Sequence, residues 1–397
     1  MKLAKNERLL LSLLSRALKG KKGHIPALPE DIEFLAAGQG VLPLLYDVVS
    51  PPEYSSMARA TMQCVQQSYH LLVASRKYAA LLQKGGCVVA VLKGASVAAV
   101  YPVPEYRKSG DLDILLLYRQ DFERADAILR SAGAIVQENQ HANHHISYDL
   151  PDGFTLELHL SLVEDFDDQG ANRLLAIIQE QMPITRQHVL GVDLPVLEDG
   201  EQALSLLLHM LHHYLREGFG LKLLCDWVCF WQKGIAEPQR KRYLDHISRL
   251  GLEGFSEMIT DVCCRYLGMP REPVSDLLPE DTEERAVFCE SFLREVFDGG
   301  EFGNNSPDRM VVLRGTGILD FTREFHHQMH LTFPRAGRCP LLWPGLWVYT
   351  LARFLHNNRR YRNTSFSRVL RSARERSRLS SSLRLFKTKA KSKPGKK

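Results

Sequence analysis

Residues 88–117, VVAVLKGASVAAVYPVPEYRKSGDLDILLL, hold two apolar runs separated by a small-residue turn and a proline-rich loop. The first run, residues 88–92, is long enough for a buried strand, and the polar and small residues KGAS at 93–96 interrupt it. Residues 97–101 are typical of one or two helical turns. This order predicts a strand, a tight turn, a short helix and a return to a second strand.

The second apolar run, residues 111–117, begins with two carboxylates. Successive side chains of a strand point to opposite faces, so Asp111 and Asp113 share one face and Leu112 lies on the other. Like charges at this spacing repel, and burying them is costly unless a cation lies between them. Hard divalent ions such as Mg²⁺ prefer carboxylate oxygens and keep phosphate as a further ligand. A metal–phosphate site is one interpretation, and an edge strand with solvated acids is the alternative.

The order of these features resembles the DNA polymerase β-like nucleotidyltransferase superfamily. Its pattern is an apolar strand, Gly followed by Gly or Ser, a spacer, an (Asp/Glu)-x-(Asp/Glu) strand, and a third carboxylate on a later strand. More narrowly, KGASVAAVYPVPEYRKSGDLDILL at residues 93–116 resembles the bacterial "nucleotidyltransferase family" proteins, and the resemblance covers about residues 85–235. Ala95 departs from the superfamily pattern, because Gly or Ser usually follows the turn glycine.

A predicted hairpin downstream supplies the third acid. Its two alternating runs, residues 145–150 and 154–160, flank a Pro-Asp-Gly turn. Glu157 stands between two leucines, where an acid is expected to face a site or solvent. The resemblance favours the site, since a Glu-Leu-His strand follows the paired acids at about this distance in the family, and Glu157 and His159 match it.

Further histidines accompany the predicted site. The family carries a histidine on the strand before the third acid, matched here by His144 or His145. His209 and His213 are four residues apart, the helical spacing that a zinc site uses, and core or substrate-facing positions are the alternative interpretation. The family also shows a histidine-bearing helix here, followed by Gly and a Leu-x-Asp helix that Asp226 matches.

The resemblance implies a metal-dependent nucleotidyltransferase that moves an NMP from an NTP to an acceptor and releases pyrophosphate. Two Mg²⁺ or Mn²⁺ ions, held by Asp111, Asp113 and Glu157, would be the cofactors and these acids the catalytic residues. Backbone N–H groups of the turn at 94–96 and the Ser96 hydroxyl would contact the triphosphate at a helix N-terminus. The side chains of Lys93 and Arg107 would clamp phosphates. The predicted nucleotide-binding residues are Lys93, Gly94, Ala95, Ser96, Arg107 and His159.

The residues leave the acceptor and the activity open. A protein side chain, an RNA end or a small molecule are all compatible with the pattern as acceptors. An alternative of a different class is a catalytically inactive nucleotide- or RNA-binding regulatory module with the same fold. A helical scaffold whose paired acids lie on the surface is a third interpretation.

The length of 397 residues predicts two or three domains. The fold class expected is α+β, a polymerase β-like core with a small mixed sheet and flanking helices, plus N-terminal helices and a C-terminal helical domain. We expect an N-terminal helical region at 1–84, the catalytic core at 85–197, a helical domain at 198–357, and a basic tail at 358–397 that is disordered or partly helical.

The positive charge of the chain is concentrated in its C-terminal segment. From position 359 onward, nine arginines and six lysines face one acid, Glu375, for a net charge of +14, so the remainder carries about −9 against +5 for the whole chain. Nucleic acid, anionic membrane lipid, or no specific partner are open interpretations of this tail.

The eight cysteines form no C-x-x-C pair, which argues against a zinc ribbon or a thioredoxin motif and favours a reducing cytoplasm. No signal peptide or transmembrane run is expected.

Overall fold

The computed structural model describes residues 3–23, 25, 28–137, 144–166, 168–301, 326, 329, 333 and 339–357. The structure is of the mixed α+β class, with many helices around a small mixed sheet, as the sequence predicts. The predicted basic tail lies outside the described residues.

A five-stranded sheet in the order β1-β2-β5-β4-β3 forms the centre of the structure. Its strands are β1 (Val89–Val91), β2 (Leu112–Leu116), β3 (Ile135–Val136), β4 (His145–Asp149) and β5 (Thr155–His159). Strand β2 runs parallel to β5, and the other neighbouring pairs are antiparallel. The two apolar runs and the predicted hairpin therefore become adjacent strands of one sheet.

Helices precede, interrupt and follow the sheet. They are α1 (Lys5–Ala17), α2 (Glu30–Gly38), α3 (Tyr46–Val49), α4 (Ser56–Lys84), α5 (Lys93–Ala98), α6 (Phe122–Ser131), α7 (Gln169–Glu180), α8 (Asp199–Leu215), α9 (Leu221–Gln232), α10 (Glu237–Leu250), α11 (Glu253–Tyr266), α12 (Glu283–Gly299) and α13 (Trp343–Asn357). Short 3₁₀ turns lie at Leu42–Leu45, Pro104–Tyr106, Arg119–Asp121, Glu272–Leu277 and Pro340–Leu342. A separate antiparallel hairpin consists of β6 (Ile184–Val189) and β7 (Val192–Leu197).

The alternation along β2 decides which face of the sheet carries the acids. Leu112, Ile114 and Leu116 belong to a hydrophobic cluster shared with α4 and α6. Leu115 belongs instead to the larger cluster on the other side, which includes α1 and the helices from α8 to α12. Asp113 alternates with the leucines of the first cluster, so its side chain lies on the face that meets the helical region.

The larger cluster ties the N-terminal helices to the helices that follow the hairpin. Leu10 and Leu14 of α1, Trp227 of α9, Phe255 of α11 and Phe292 of α12 are all fully buried in it. Burial of such aromatic and aliphatic side chains, each contributing roughly 1.5–3 kcal/mol, fixes the helices over the sheet face that carries Asp113.

Two elements differ from the sequence expectation. An acidic loop is predicted at 163–170, yet α7 already begins at Gln169, where the Asp168 side chain accepts hydrogen bonds from the N–H groups of Gly170 and Ala171. This N-cap is the local reason for the helix. The short strand expected within residues 189–197 is present as β7, whereas β6, which pairs with it, is not predicted.

All eight cysteines carry unpaired thiols. Among the helices of the described segments, none combines the length and the apolar character that crossing a bilayer requires.

Candidate active site

Asp113 and Glu157 face each other across the parallel pair β2–β5, where they are register partners. Asp113 is buried, and the Glu157 side chain is about a quarter exposed, at 24%. Nε2 of the buried His159 lies 2.8 Å from Asp113 Oδ1 and 3.3 Å from Glu157 Oε2. The structure thus brings together two of the three predicted carboxylates and the predicted strand histidine.

Asp111 lies at the solvent-accessible start of β2, one residue before the strand begins. Partial loss of hydration and the negative charges of Asp113 and Glu157 raise the pKa of its carboxyl group. Within the described segments, the group of donor atoms lying within 4.8 Å of one another contains Asp113, Glu157 and His159 but not Asp111. Asp111 therefore lies on the solvent-exposed side of the acid pair, and its metal-binding role stays a prediction.

Lys93 supplies the positive charge beside the acids. Its Nζ lies 3.0 Å from Asp113 Oδ1 in an ion pair that is largely buried. The Lys93 backbone has φ +38°, a left-handed conformation that non-glycine residues rarely adopt. Such strained residues concentrate at functional sites. A cation held in this way at the turn between β1 and α5 is consistent with the predicted phosphate clamp.

The charged state of the two buried acids is maintained by their partners. Burial alone would raise the pKa of Asp113, but the Lys93 ammonium and the His159 imidazole outweigh it and hold that pKa well below its usual range. Burial also acts against the charge of Glu157, and its hydrogen bond with His159 and the charge of Lys93 lower its pKa overall despite repulsion from Asp113. Both groups are carboxylates at neutral pH, the form that binds a cation.

The turn residues have defined environments. Gly94 has φ +26°, and a Cβ built there would lie 3.7 Å from the Asp111 carbonyl oxygen, so backbone conformation rather than space favours glycine. Ala95 packs against the hydrophobic cluster below α4. The buried Ser96 hydroxyl donates to the Lys93 carbonyl oxygen at 2.9 Å and accepts from Gln202 Nε2 at 3.3 Å. Its observed partners are therefore protein groups, and its predicted contact with a triphosphate stays a prediction.

Arg107 has a different environment from the one expected of a phosphate clamp. Its guanidinium is buried and donates in bidentate fashion to Asp226 of α9, with Nε to Oδ1 at 2.7 Å and Nη2 to Oδ2 at 2.8 Å. Nη1 donates to Ser109 Oγ, and the Tyr101 hydroxyl donates to Asp226 Oδ1 at 2.6 Å. These hydrogen bonds attach the loop before β2 to helix α9. The charge of Arg107 alone does not predict this structural role.

A cluster of histidines surrounds the acid pair. His145 on β4 is the register partner of His159, and its Nε2 lies 3.7 Å from Glu157 Oε1. The ring of His144 lies 5.5 Å, centroid to centroid, from that of His212 on helix α8. Both histidine segments are visible in the sequence as HANHH at 141–145 and HMLHH at 209–213, but their convergence requires the tertiary structure.

The comparison with protein families decides the assignment. A family model described as an uncharacterised nucleotidyltransferase matches residues 26–268, well over half of the chain. The chain belongs to this nucleotidyltransferase family. The matched segment contains the sheet, the turn residues and the histidine-bearing helix α8.

No curated protein matches the chain. Among solved structures, the chain is similar to an antigenic nucleotidyltransferase-like protein from Paracoccidioides brasiliensis, with 14% identity, a TM-score of 0.32, and coverage of 50% of this chain and 93% of that one.

A nucleotidyltransferase implies a divalent metal, and the donor set of the site can be tested against that requirement. Asp113, Glu157 and His159 place one donor atom each within 4.8 Å of the others. The two carboxylates suit a hard ion such as Mg²⁺ or Mn²⁺, and the His159 hydrogen bonds hold their oxygens in place. The residues present therefore fit a divalent cation at this place.

Proposed function

We propose that this nucleotidyltransferase family member transfers an NMP from an NTP to a hydroxyl acceptor in a reaction that depends on Mg²⁺ or Mn²⁺. The observation that carries the proposal is the convergence of Asp113 and Glu157 from parallel strands, with Lys93 and His159 holding both acids in the charged form. A protein side chain, an RNA end and a small molecule are the acceptor classes to be distinguished by experiment.

In the proposed reaction, the acceptor oxygen forms a bond to the α-phosphorus of the NTP and gives up its proton. The bond from the α-phosphorus to the bridging oxygen of pyrophosphate breaks, and pyrophosphate leaves with that electron pair. Asp113 and Glu157, with Asp111 at the mouth of the site, would hold two divalent ions. When bound, such ions stabilise negative charge on the attacking and leaving oxygens.

Lys93 has a separate role in this proposal. Its ammonium is paired with Asp113 Oδ1 at 3.0 Å, so it lies next to the position where a cation-bound phosphate would be held. We propose that Lys93 exchanges this carboxylate for a phosphate oxygen when the nucleotide binds. Lysine is suited to this because it acts as a compact point charge on a flexible stem.

The proposal is tested by incubating the full-length protein with α-³²P-labelled NTPs, Mg²⁺ or Mn²⁺, and cell extract. Asp113→Asn and Glu157→Gln remove one charge each at nearly constant shape, and Asp193→Asn, in the exposed His188–Asp193 pair of the β6–β7 hairpin, is the matched control. Label transfer by wild type and the control, lost in both site variants, supports the proposal.

Two outcomes of the same experiment would contradict it. Undiminished transfer in both site variants would remove these acids from the reaction. Absence of transfer by every form, with NTP binding retained, would identify an inactive nucleotide-binding module of the same family.

A further inference from the structure

A group of three imidazole side chains adjoins the acid pair. His144, His145 and His159 each place one ring nitrogen within 4.8 Å of the other two. His144 Nε2 lies 3.0 Å from His145 Nδ1, and His145 is the register partner of His159 across β4–β5. The carboxylate group and this imidazole group share His159.

Two nitrogens of this group are buried without a hydrogen-bond partner, His144 Nδ1 and His159 Nδ1. His159 Nε2 contacts the carboxylates of Asp113 and Glu157, which can only accept, so Nε2 donates to them and Nδ1 is the ring nitrogen left without a partner. A buried ring nitrogen without a partner is costly. A metal ion is one group that satisfies it, because metal ligation uses the neutral imidazole lone pair.

The spacing of the nitrogens agrees with direct ligation. In a tetrahedral site with metal–nitrogen bonds of about 2.0–2.1 Å, two ligand nitrogens lie about 3.3 Å apart. His144 Nε2 and His145 Nδ1 lie 3.0 Å apart, close to this separation, in a hydrogen bond that a metal ion would replace. His212, whose ring centroid lies 5.5 Å from that of His144, is a candidate for a further nitrogen ligand.

The charge around the group also permits a cation. Lys93 contributes one nearby positive charge, while Asp113 and Glu157 contribute two negative ones. The local balance remains negative before any ion binds.

We propose that His144, His145 and His159 form a nitrogen-rich site for a borderline divalent cation of the Zn²⁺ or Co²⁺ class, beside the carboxylate site. Imidazole selects Zn²⁺, Co²⁺ and related ions over Mg²⁺, whose preferred ligands are oxygens. The inference goes beyond nucleotidyl transfer, because it concerns an equilibrium binding property that holds with or without turnover.

The test is a titration of metal-free, full-length protein with Co²⁺, followed by its visible ligand-field absorption and by calorimetry. In a large excess of Mg²⁺, which occupies the carboxylate site, we expect one equivalent of Co²⁺ to bind with a spectrum typical of nitrogen ligation. His144→Phe and His145→Gln should each weaken binding by at least about 10-fold, the lower end of the effect of losing even an outer-shell partner. His188→Ala, on the exposed β6–β7 hairpin, is the matched control and should bind as wild type does.

Several outcomes would overturn the proposal. These are no Co²⁺ binding by wild type, unchanged binding in both site variants, equal loss in His188→Ala, or ready displacement by Mg²⁺. Thermal unfolding of each variant shows that it is folded, and the two site variants remove different rings, so one unfolded variant does not leave the question open. Loss of label transfer in the acid variants with Co²⁺ binding intact would separate the two proposals.

Discussion

Asp113 and Glu157 are register partners on parallel strands, and one histidine, His159, contacts both of their carboxylates. Two acids this close repel each other, so the pair persists in the charged form only because Lys93 and His159 offset the repulsion. The arrangement keeps two carboxylates charged on the face of the sheet that meets the helical region.

Removing the Lys93 charge should shift the pH dependence of the reaction. The pKa of Asp113 is raised by burial and lowered most strongly by Lys93, so Lys93→Met should raise it. A carboxylate with a higher pKa is protonated at higher pH, and the acid limb of label transfer should therefore move upward in pH. The rate of transfer between neutral and acid pH measures this. Lys77→Met, which removes an exposed partner of Asp152, should leave the profile unchanged.

Neutralising Glu157 should affect catalysis more than folding. Its side chain is partly exposed, and Glu157→Gln removes a charge that Asp113 repels, so the variant should remain folded. Loss of one metal-holding carboxylate is expected to cost several kcal/mol of transition-state stabilisation, or roughly 100-fold or more in rate. Initial rates of label transfer, with thermal unfolding as the fold control, measure the two effects separately. A transfer rate within a few-fold of wild type would contradict the assigned role.

The Arg107–Asp226 pair should be important for stability. Breaking a buried, bidentate ion pair by removing one partner leaves an uncompensated charge and typically costs about 3–5 kcal/mol. Arg107→Met should therefore lower the free energy of unfolding by this order, as measured by denaturant titration. Arg107→Lys should recover little, because lysine lacks the planar fork.

The matched control for Arg107 is Arg130→Met on the surface of helix α6, where Arg130 pairs with Asp126. Exposed pairs of this kind contribute little, so stability should stay close to that of wild type. Equal stability of the Arg107→Met variant and this control would contradict a structural role for Arg107. It would restore phosphate binding as the leading interpretation of the residue.

The histidines of helix α8 should make folding sensitive to mild acid. Burial, followed by neighbouring positive charge, lowers the pKa from the ordinary 6.5 to about 3 for His212 and about 4 for His213. Above pH 6.5 both rings are neutral in the folded and unfolded chain, and their contribution is fully present. As the pH falls from 6.5 to about 4, only the unfolded chain binds protons, and the free energy of unfolding decreases by about 1.4 kcal/mol per pH unit for each ring.

Denaturant titrations between pH 7 and pH 4.5 test this expectation, in a range above the ordinary pKa values of most carboxyl groups. His213→Phe should reduce the slope of unfolding free energy against pH by about 1.4 kcal/mol per pH unit, the contribution of one ring. His188→Ala should leave the slope unchanged. A decline of the same slope in His213→Phe and wild type would contradict the neutral, buried state of this ring.

How far the sequence predicts the site depends on whether the information is local. Alternation at 111–117 predicts which face of β2 carries Asp113, and the structure confirms it because the opposite leucines pack under α4 and α6. The pairing of Asp113 with Glu157 follows only from the family resemblance, since strand order is not encoded in either strand alone. The bond from Arg107 to Asp226 and the meeting of His144 with His212 join distant segments, so local pattern carries no signal for them.

The most direct measurement of the central claim is calorimetric binding of a non-hydrolysable NTP with and without Mg²⁺, which requires no acceptor. We expect saturable binding by wild type that needs Mg²⁺, loss of that dependence in Asp113→Asn, and wild-type behaviour in Asp193→Asn. Equal NTP affinity with and without Mg²⁺, or full Mg²⁺-dependent affinity in Asp113→Asn, would contradict the assignment of the Asp113–Glu157 pair as the metal–nucleotide site.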